Sequence, residues 1–258
     1  MLMLIGPPKN GKTVCAATVS AFCPQVLPAT ERTYLKDTVW VQFDTNGVES
    51  LKQLNLIPLV IDLSRIVEYG MLKRKLTEAV KEIKEEAEKG NIKNVVIDTL
   101  TSMYTVMLSH LRKIYSDIKL QGLMYNTLLG AHMDFALQLK SLPVTTVIIA
   151  HTKVTMSGLT DAQELATRKK SAGLPGGGDI VAEISGKASN HYKGASDCIW
   201  PVLKKSVGGK ESYIVLPYGG HGFEGGCRYH GLNQEEPANL QAIFKKVNAL
   251  HTHGETNV

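Results

Sequence analysis

Residues 6–13 read GPPKNGKT, and no other stretch restricts the fold as sharply. A Gly-x-x-x-x-Gly-Lys-Thr run works as a phosphate cradle when a buried strand leads into it and a helix leads out. Met1 to Ile5 supply the apolar strand, and Val14 to Phe22 (VCAATVSAF) suit a buried helix that Pro24 stops. Gly6 and Gly11 let backbone N–H groups turn toward phosphate oxygens, and the helix N-terminus adds a favourable dipole. Pro7 and Pro8 stiffen the loop, and Lys9, Asn10 and Val14 complete the nucleotide-binding stretch. Lys12 is placed to reach the β- and γ-phosphates and Thr13 to hold Mg²⁺, so ATP with Mg²⁺ is the expected pair of cofactors.

Such a loop requires a second acidic site at the carboxyl end of a buried parallel strand. NVVIDT, Asn94 to Thr99, provides it: Val95, Val96 and Ile97 form a continuous apolar run, and Asp98 stands where open α/β sheets place their ligands. Further strands read at Thr38–Asp44, Pro58–Leu63 and Thr145–His151, with helix-forming stretches over 65–89, 103–116 and 125–142. Lys81–Glu85 and Glu85–Lys89 add i,i+4 support to the first of these helices. Strand alternating with helix gives an α/β fold, a mostly parallel sheet flanked by helices. Asp197–Lys205 and Glu211–Tyr218 read as a C-terminal β-hairpin around SVGGK that extends the sheet past its parallel part. Asn239–Val247 is amphipathic and reads as a closing helix. The expected organisation is one domain over 1–248 and a disordered tail over 249–258.

No apolar run approaches the ~20 residues that cross a bilayer, so the expectation is a soluble cytoplasmic protein with no membrane partner. The cysteines, Cys15, Cys23, Cys198 and Cys227, show no C-x-x-C spacing and read as small buried apolar residues in a reducing compartment. The net charge is +5. Between Lys153 and Lys210 nine Lys/Arg face five Asp/Glu, a local +4, so one segment carries most of the excess. Its first part, residues 153–197, is poor in regular pattern, as functional or disordered stretches are.

Together GPPKNGKT, VQFDTNGVESL, VVIDT, QLKSLPVTTVIIAHT and the C-terminal CRYHGL…PANLQAIF resemble a RecA-like ATPase core. More narrowly they resemble phage-encoded ATPases of that fold, including those of single-strand annealing and recombination. The resemblance spans roughly residues 2–246. It implies a glutamate beside the attacking water, but FDTN puts Asn46 at that position, and Asn cannot take a proton. Glu49, three residues on, is the favoured substitute and Asp44 the other. The resemblance also gives His151 the place of a polar γ-phosphate sensor, so the implied catalytic set is Lys12, Glu49, Asp98 and His151. It places DNA-contacting loops in 153–197, where Arg168, Lys169 and Lys170 would meet a phosphate backbone. Tyr192 could stack on a base there or simply pack. Lys204, Lys205 and Arg228 are candidates to reach a neighbouring copy's ATP, which implies a homo-oligomer, ring or filament. Single-stranded DNA is the implied partner, with a single-strand-binding protein as a further family expectation.

The implied activity is a single-strand-DNA-dependent ATPase of phage recombination. Alternatives are a helicase-like, packaging or loader motor, a small-molecule kinase, and a nucleotide-gated DNA-binding protein with little turnover. A kinase would carry several arginines in a lid over its phosphates, whereas the stretch past His151 is rich in lysine and glycine.

Overall fold

The computed structural model describes residues 1–66, 68–155, 179–182, 186–207, 210–220 and 222–254. The strands are β1 (Leu2–Gly6), β2 (Thr33–Gln42), β3 (Leu56–Asp62), β4 (Asn94–Asp98), β5 (Thr145–Thr155), β6 (Asp179–Ala182), β7 (Cys198–Val207), β8 (Lys210–Val215), β9 (Gly226–Cys227) and β10 (Glu236–Pro237). The helices are α1 (Lys12–Ala17), α2 (Thr45–Gln53), α3 (Tyr69–Glu88), α4 (Leu100–Ile114), α5 (Gln121–Ser141), α6 (Gly186–Ala195) and α7 (Leu240–Gly254). Among the described residues the sheet runs β10-β8-β7-β1-β5-β4-β2-β3, with β6 on β5 and β9 on β7. The six strands from β7 to β3 are parallel to their neighbours along this path. β6, β8, β9 and β10 pair antiparallel.

The continuous apolar runs of β1, β4 and β5 follow from this position. A central parallel strand is covered on both faces, so both of its side-chain sets must be apolar. Met3, Ile5, Val95, Ile97 and Ile148 pack on one face with α3, α4, α5 and α6. Leu2, Leu4, Val96, Val147 and Ile149 pack on the other with α1, α2 and α7. Each such side chain, fully buried, contributes roughly 1.5–3 kcal/mol. α3 shows the single-faced counterpart: Leu72, Leu76, Ala79 and Ile83 recur at helical spacing and are buried, while its lysines and glutamates face out. Lys81 pairs with Glu85, but Lys89 reaches Glu86 rather than Glu85. Among the described residues no helix is long and apolar enough to cross a membrane.

Several expectations shift. α1 stops at Ala17, five residues early, where the next polar side chains bond the preceding turn and other parts of the fold. Thr18 Oγ1 donates to the Cys15 carbonyl (2.6 Å) and accepts the Leu240 backbone N–H (2.7 Å), and Ser20 Oγ donates to buried Asp37 (2.5 Å). β5 continues through His151 to Thr155, since β6 pairs with Thr152–Thr155. β7 is itself parallel, hydrogen-bonded along β1, so the antiparallel extension starts only at β8. α7 runs on to Gly254, so residues 249–254, expected in a disordered tail, are helical. β6 and α6 lie within the stretch that read as irregular. Tyr192 is wholly buried, its hydroxyl 2.9 Å from His132 Nδ1, so it packs and is not available to stack on a base.

Candidate nucleotide site

The loop between β1 and α1 turns on left-handed backbone at Lys9 (φ 63°) and at Gly11 (φ 76°), the residue that caps α1. Gly11 must be glycine for a second reason: a Cβ there would lie 2.6 Å from the ring of Tyr213, on β8. Gly6 ends β1 opposite His151 of β5, and its Cβ position lies 2.7 Å from the Val202 carbonyl of β7. The loop is thus gripped between β5 on one side and the β7–β8 hairpin on the other.

Lys12 is almost fully buried, and its ammonium donates to the carbonyls of Gly6 (2.8 Å) and Pro7 (2.6 Å). Burial lowers its pKa to about 8, against the pull of the Asp98 carboxylate. Asp98, at the end of β4, is 1% exposed. Its Oδ2 accepts the Thr13 hydroxyl (3.2 Å) and the Trp40 indole N–H (3.2 Å). Burial raises its pKa to about 6 even against these donors. Gly47 closes the other side, for a Cβ there would sit 2.0 Å from Asp98 Oδ2.

These groups open onto a cleft of about 660 Å³ lined by Pro8 to Val14, Asp98, His151 and Tyr213, together with Asp44, Asn46 and Glu49. Asp44 caps α2, its Oδ1 accepting both the backbone N–H (2.9 Å) and the side-chain amide (2.7 Å) of Asn46. Glu49 reaches the rim, but its carboxylate turns to Lys52 (2.6 Å) and is 61% exposed. The His151 backbone N–H donates to Thr101 Oγ1 (2.9 Å). Its half-buried imidazole is held below the ordinary range by burial, then by the Lys12 charge, so it is neutral at pH 7. A larger cleft of about 720 Å³ lies at the other end of β1, around Met1, Trp200 and Phe244, and holds none of the loop residues.

The donor set fits Mg²⁺. Thr13 hydroxyl and Asp98 carboxylate are hard oxygen ligands, adjacent, and few enough to leave room for the water and phosphate oxygens that this ion keeps. The three cations expected to reach a neighbouring copy are engaged within the chain: Lys204 with Glu211 (2.5 Å), Lys205 with Glu235 (2.5 Å) and Arg228 with Asp197 (3.2 Å). Arg228 lies beside the start of β1, since Asp197 also binds the Met1 ammonium, and so stands at the end of the sheet away from the loop. Arg168, Lys169 and Lys170 lie outside the described residues.

Sequence reasoning passed over Trp40, Gly47 and Tyr213. Trp40, inside an apolar strand, reads as core, and nothing local marks Tyr213 as a neighbour of Gly11. Gly47 does carry a signal: a glycine in the first turn of a helix is unfavourable by ~1 kcal/mol relative to alanine and calls for a packing reason. A family model described as AAA domain matches residues 1–213, from β1 to Tyr213 on the hairpin, and no curated protein matches the chain. Coverage of that extent, on a chain with a phosphate loop, an acid-tipped central strand and a mostly parallel sheet, makes this protein a member of the AAA-domain family of P-loop ATPases.

Proposed function

We propose that the chain binds ATP with Mg²⁺ at this cleft and hydrolyses it in a cycle coupled to single-stranded DNA. The observation that carries the nucleotide part is the convergence of Lys12, Thr13 and Asp98, three polar groups drawn together at one helix N-terminus although two of them are almost wholly buried. Lys12 exchanges its bonds to the Gly6 and Pro7 carbonyls for phosphate oxygens, while Thr13 would hold the metal directly and Asp98 would hold it through water. Mg²⁺, when bound, supplies charge neutralisation on the phosphates. The Gly11 N–H and the α1 N-terminus orient the chain of phosphates. Asp44, rather than Glu49, is the carboxylate best placed to orient the attacking water, because it lines the cleft within electrostatic reach of Asp98 and His151 whereas Glu49 is tied to Lys52. Neutral His151, level with Gly6, donates a ring N–H to the terminal phosphate.

The DNA part rests on the resemblance to RecA-like recombination ATPases of phages and on the cationic excess between Lys153 and Lys210. Arg168, Lys169 and Lys170 are assigned to the phosphate backbone, Lys204, Lys205 and Arg228 to contacts between copies in a homo-oligomer. A second reading has its own observation: Asp44 Oδ1 is already occupied by Asn46, which favours a nucleotide-gated DNA binder with slow turnover. Phosphate release measured with and without single-stranded DNA, with strand annealing followed in the same tubes, tests both. Stimulation by DNA supports the ATPase. ATP-dependent annealing with negligible phosphate release supports the gated binder. Indifference to DNA in both assays sinks the DNA coupling.

A further inference from the structure

Cys198 and Cys227 stand apart from the nucleotide cleft and are used by nothing in it. β9 runs antiparallel to the start of β7 and sets Cys227 opposite Cys198. Arg228 donates its backbone N–H to the Asp197 carbonyl (3.1 Å), which makes Asp197/Arg228 a hydrogen-bonded pair. The next pair, Cys198/Cys227, is therefore the non-hydrogen-bonded kind, in which opposed side chains stand closest. Cα atoms in such pairs are ~4.5 Å apart, inside the ~4.4–6.8 Å that a disulfide spans. The two free thiols confirm the closeness, with Sγ atoms 2.7 Å apart.

The pair is also asymmetric. Cys198 is 2% exposed, while Cys227 is only half-buried and open to a small reagent. Hydrogen bonding from Cys198, with the Tyr229 backbone N–H donating to the same sulfur (3.4 Å), holds the Cys227 thiol below its ordinary range. Cys198 shifts the opposite way, well above its ordinary range. Cys15 and Cys23 are pushed up to about 12 and about 11 by burial, so neither competes as a nucleophile.

We propose that Cys198 and Cys227 form a redox modification site, closing to a disulfide by exchange with a low-molecular-weight disulfide of the glutathione class. The Cys227 thiolate attacks one sulfur of glutathione disulfide, forms a mixed disulfide and expels one glutathione thiolate. Cys198 then loses its proton and attacks the Cys227 sulfur, expelling the second glutathione. The protein dithiol gives up two electrons and two protons, and glutathione disulfide becomes two thiols. The closed loop contains the β7–β8 hairpin, including Tyr213 against Gly11, so oxidation fastens one wall of the nucleotide cleft at its base.

The test uses the full chain, reduced and then incubated with glutathione disulfide, with remaining thiols alkylated before digestion and mass spectrometry. The expected product is a peptide pair linked through Cys198 and Cys227, alkylated only at Cys15 and Cys23 and restored by dithiothreitol. The oxidised protein should melt about 5–10 °C higher. Cys198→Ser should arrest the reaction at glutathionylated Cys227. Full alkylation of both residues after incubation, or persistent glutathione on Cys227 of the unmodified sequence, overturns the proposal. No readout uses ATP turnover, so failure here leaves the nucleotide reading intact.

Discussion

The floor of the cleft and the hairpin that walls it hold like charges in opposite settings. Lys12 and Asp98 are 4% and 1% exposed, bonded to the loop carbonyls, Thr13 and Trp40, and both are moved off their ordinary pKa values by burial. Lys204 and Lys205 lie in solvent, each matched to one glutamate. A desolvated charge costs folding free energy and persists only where chemistry repays the loss. An exposed pair costs little, holds little and can exchange partners freely. Chemistry is thus expected from the floor and adaptable contacts from the wall.

Lys12→Ala tests this contrast most severely. ATP turnover should fall roughly 10²–10³-fold, as on removal of a charge aimed at the reacting phosphate. Stability should move the other way. With a folded pKa of about 8 against an ordinary 10.5, the ammonium destabilises the fold at pH 7 by roughly 3 kcal/mol. Between these values the unfolded chain binds more protons than the folded one, so stability rises with pH. Lys12→Met should therefore unfold later than the parent chain in urea at pH 7, and the gap should close as pH climbs from about 8 to 10.5. A variant that is less stable at pH 7 removes the cost argument.

Gly47→Ala comes next. Alanine favours a helix by ~1 kcal/mol over glycine, yet its methyl group would meet Asp98 Oδ2 at 2.0 Å. Turnover should drop roughly 10–100-fold, in keeping with a misplaced catalytic group. A stabilised protein with full activity would mean that Asp98 yields freely.

Asp44→Asn keeps the helix cap and should slow turnover about tenfold while preserving ATP affinity, whereas Glu49→Gln should change it less than about threefold. The reverse ranking would move the water-facing carboxylate to the rim. The smallest effect belongs to the wall: Lys205→Ala should shift the melting temperature by less than about 1 °C. Any loss of turnover in that variant should depend on protein concentration, because its proposed target is the ATP of another copy.

The floor was largely legible in the sequence, and the wall was not. Lys12 and Thr13 stand at fixed spacing from Gly6, and Asp98 ends an apolar run, so local pattern suffices to pair them. His151 was singled out by the resemblance, as the end of an apolar strand, although β5 passes through it. Trp40 and Gly47 touch Asp98 from segments more than forty residues away in the chain, and Tyr213 reaches Gly11 from the far end of the fold. Such contacts depend on which strands become neighbours, and periodicity in a single sequence carries no record of that choice. For the same reason β7 read as an added hairpin arm, although it borders the loop strand itself.

That border has a temporal consequence. Leu2 of β1 lies opposite Val147 on one side and Cys198 on the other. On a ribosome the phosphate loop emerges long before either neighbouring strand. Its glycines and lysine have no sheet to hold them until β5 is made, and no second flank until β7 follows. Competence to capture a nucleotide therefore arrives late in synthesis and nearly all at once, so a truncated chain ending before Val147 would carry the phosphate-loop sequence without a usable pocket.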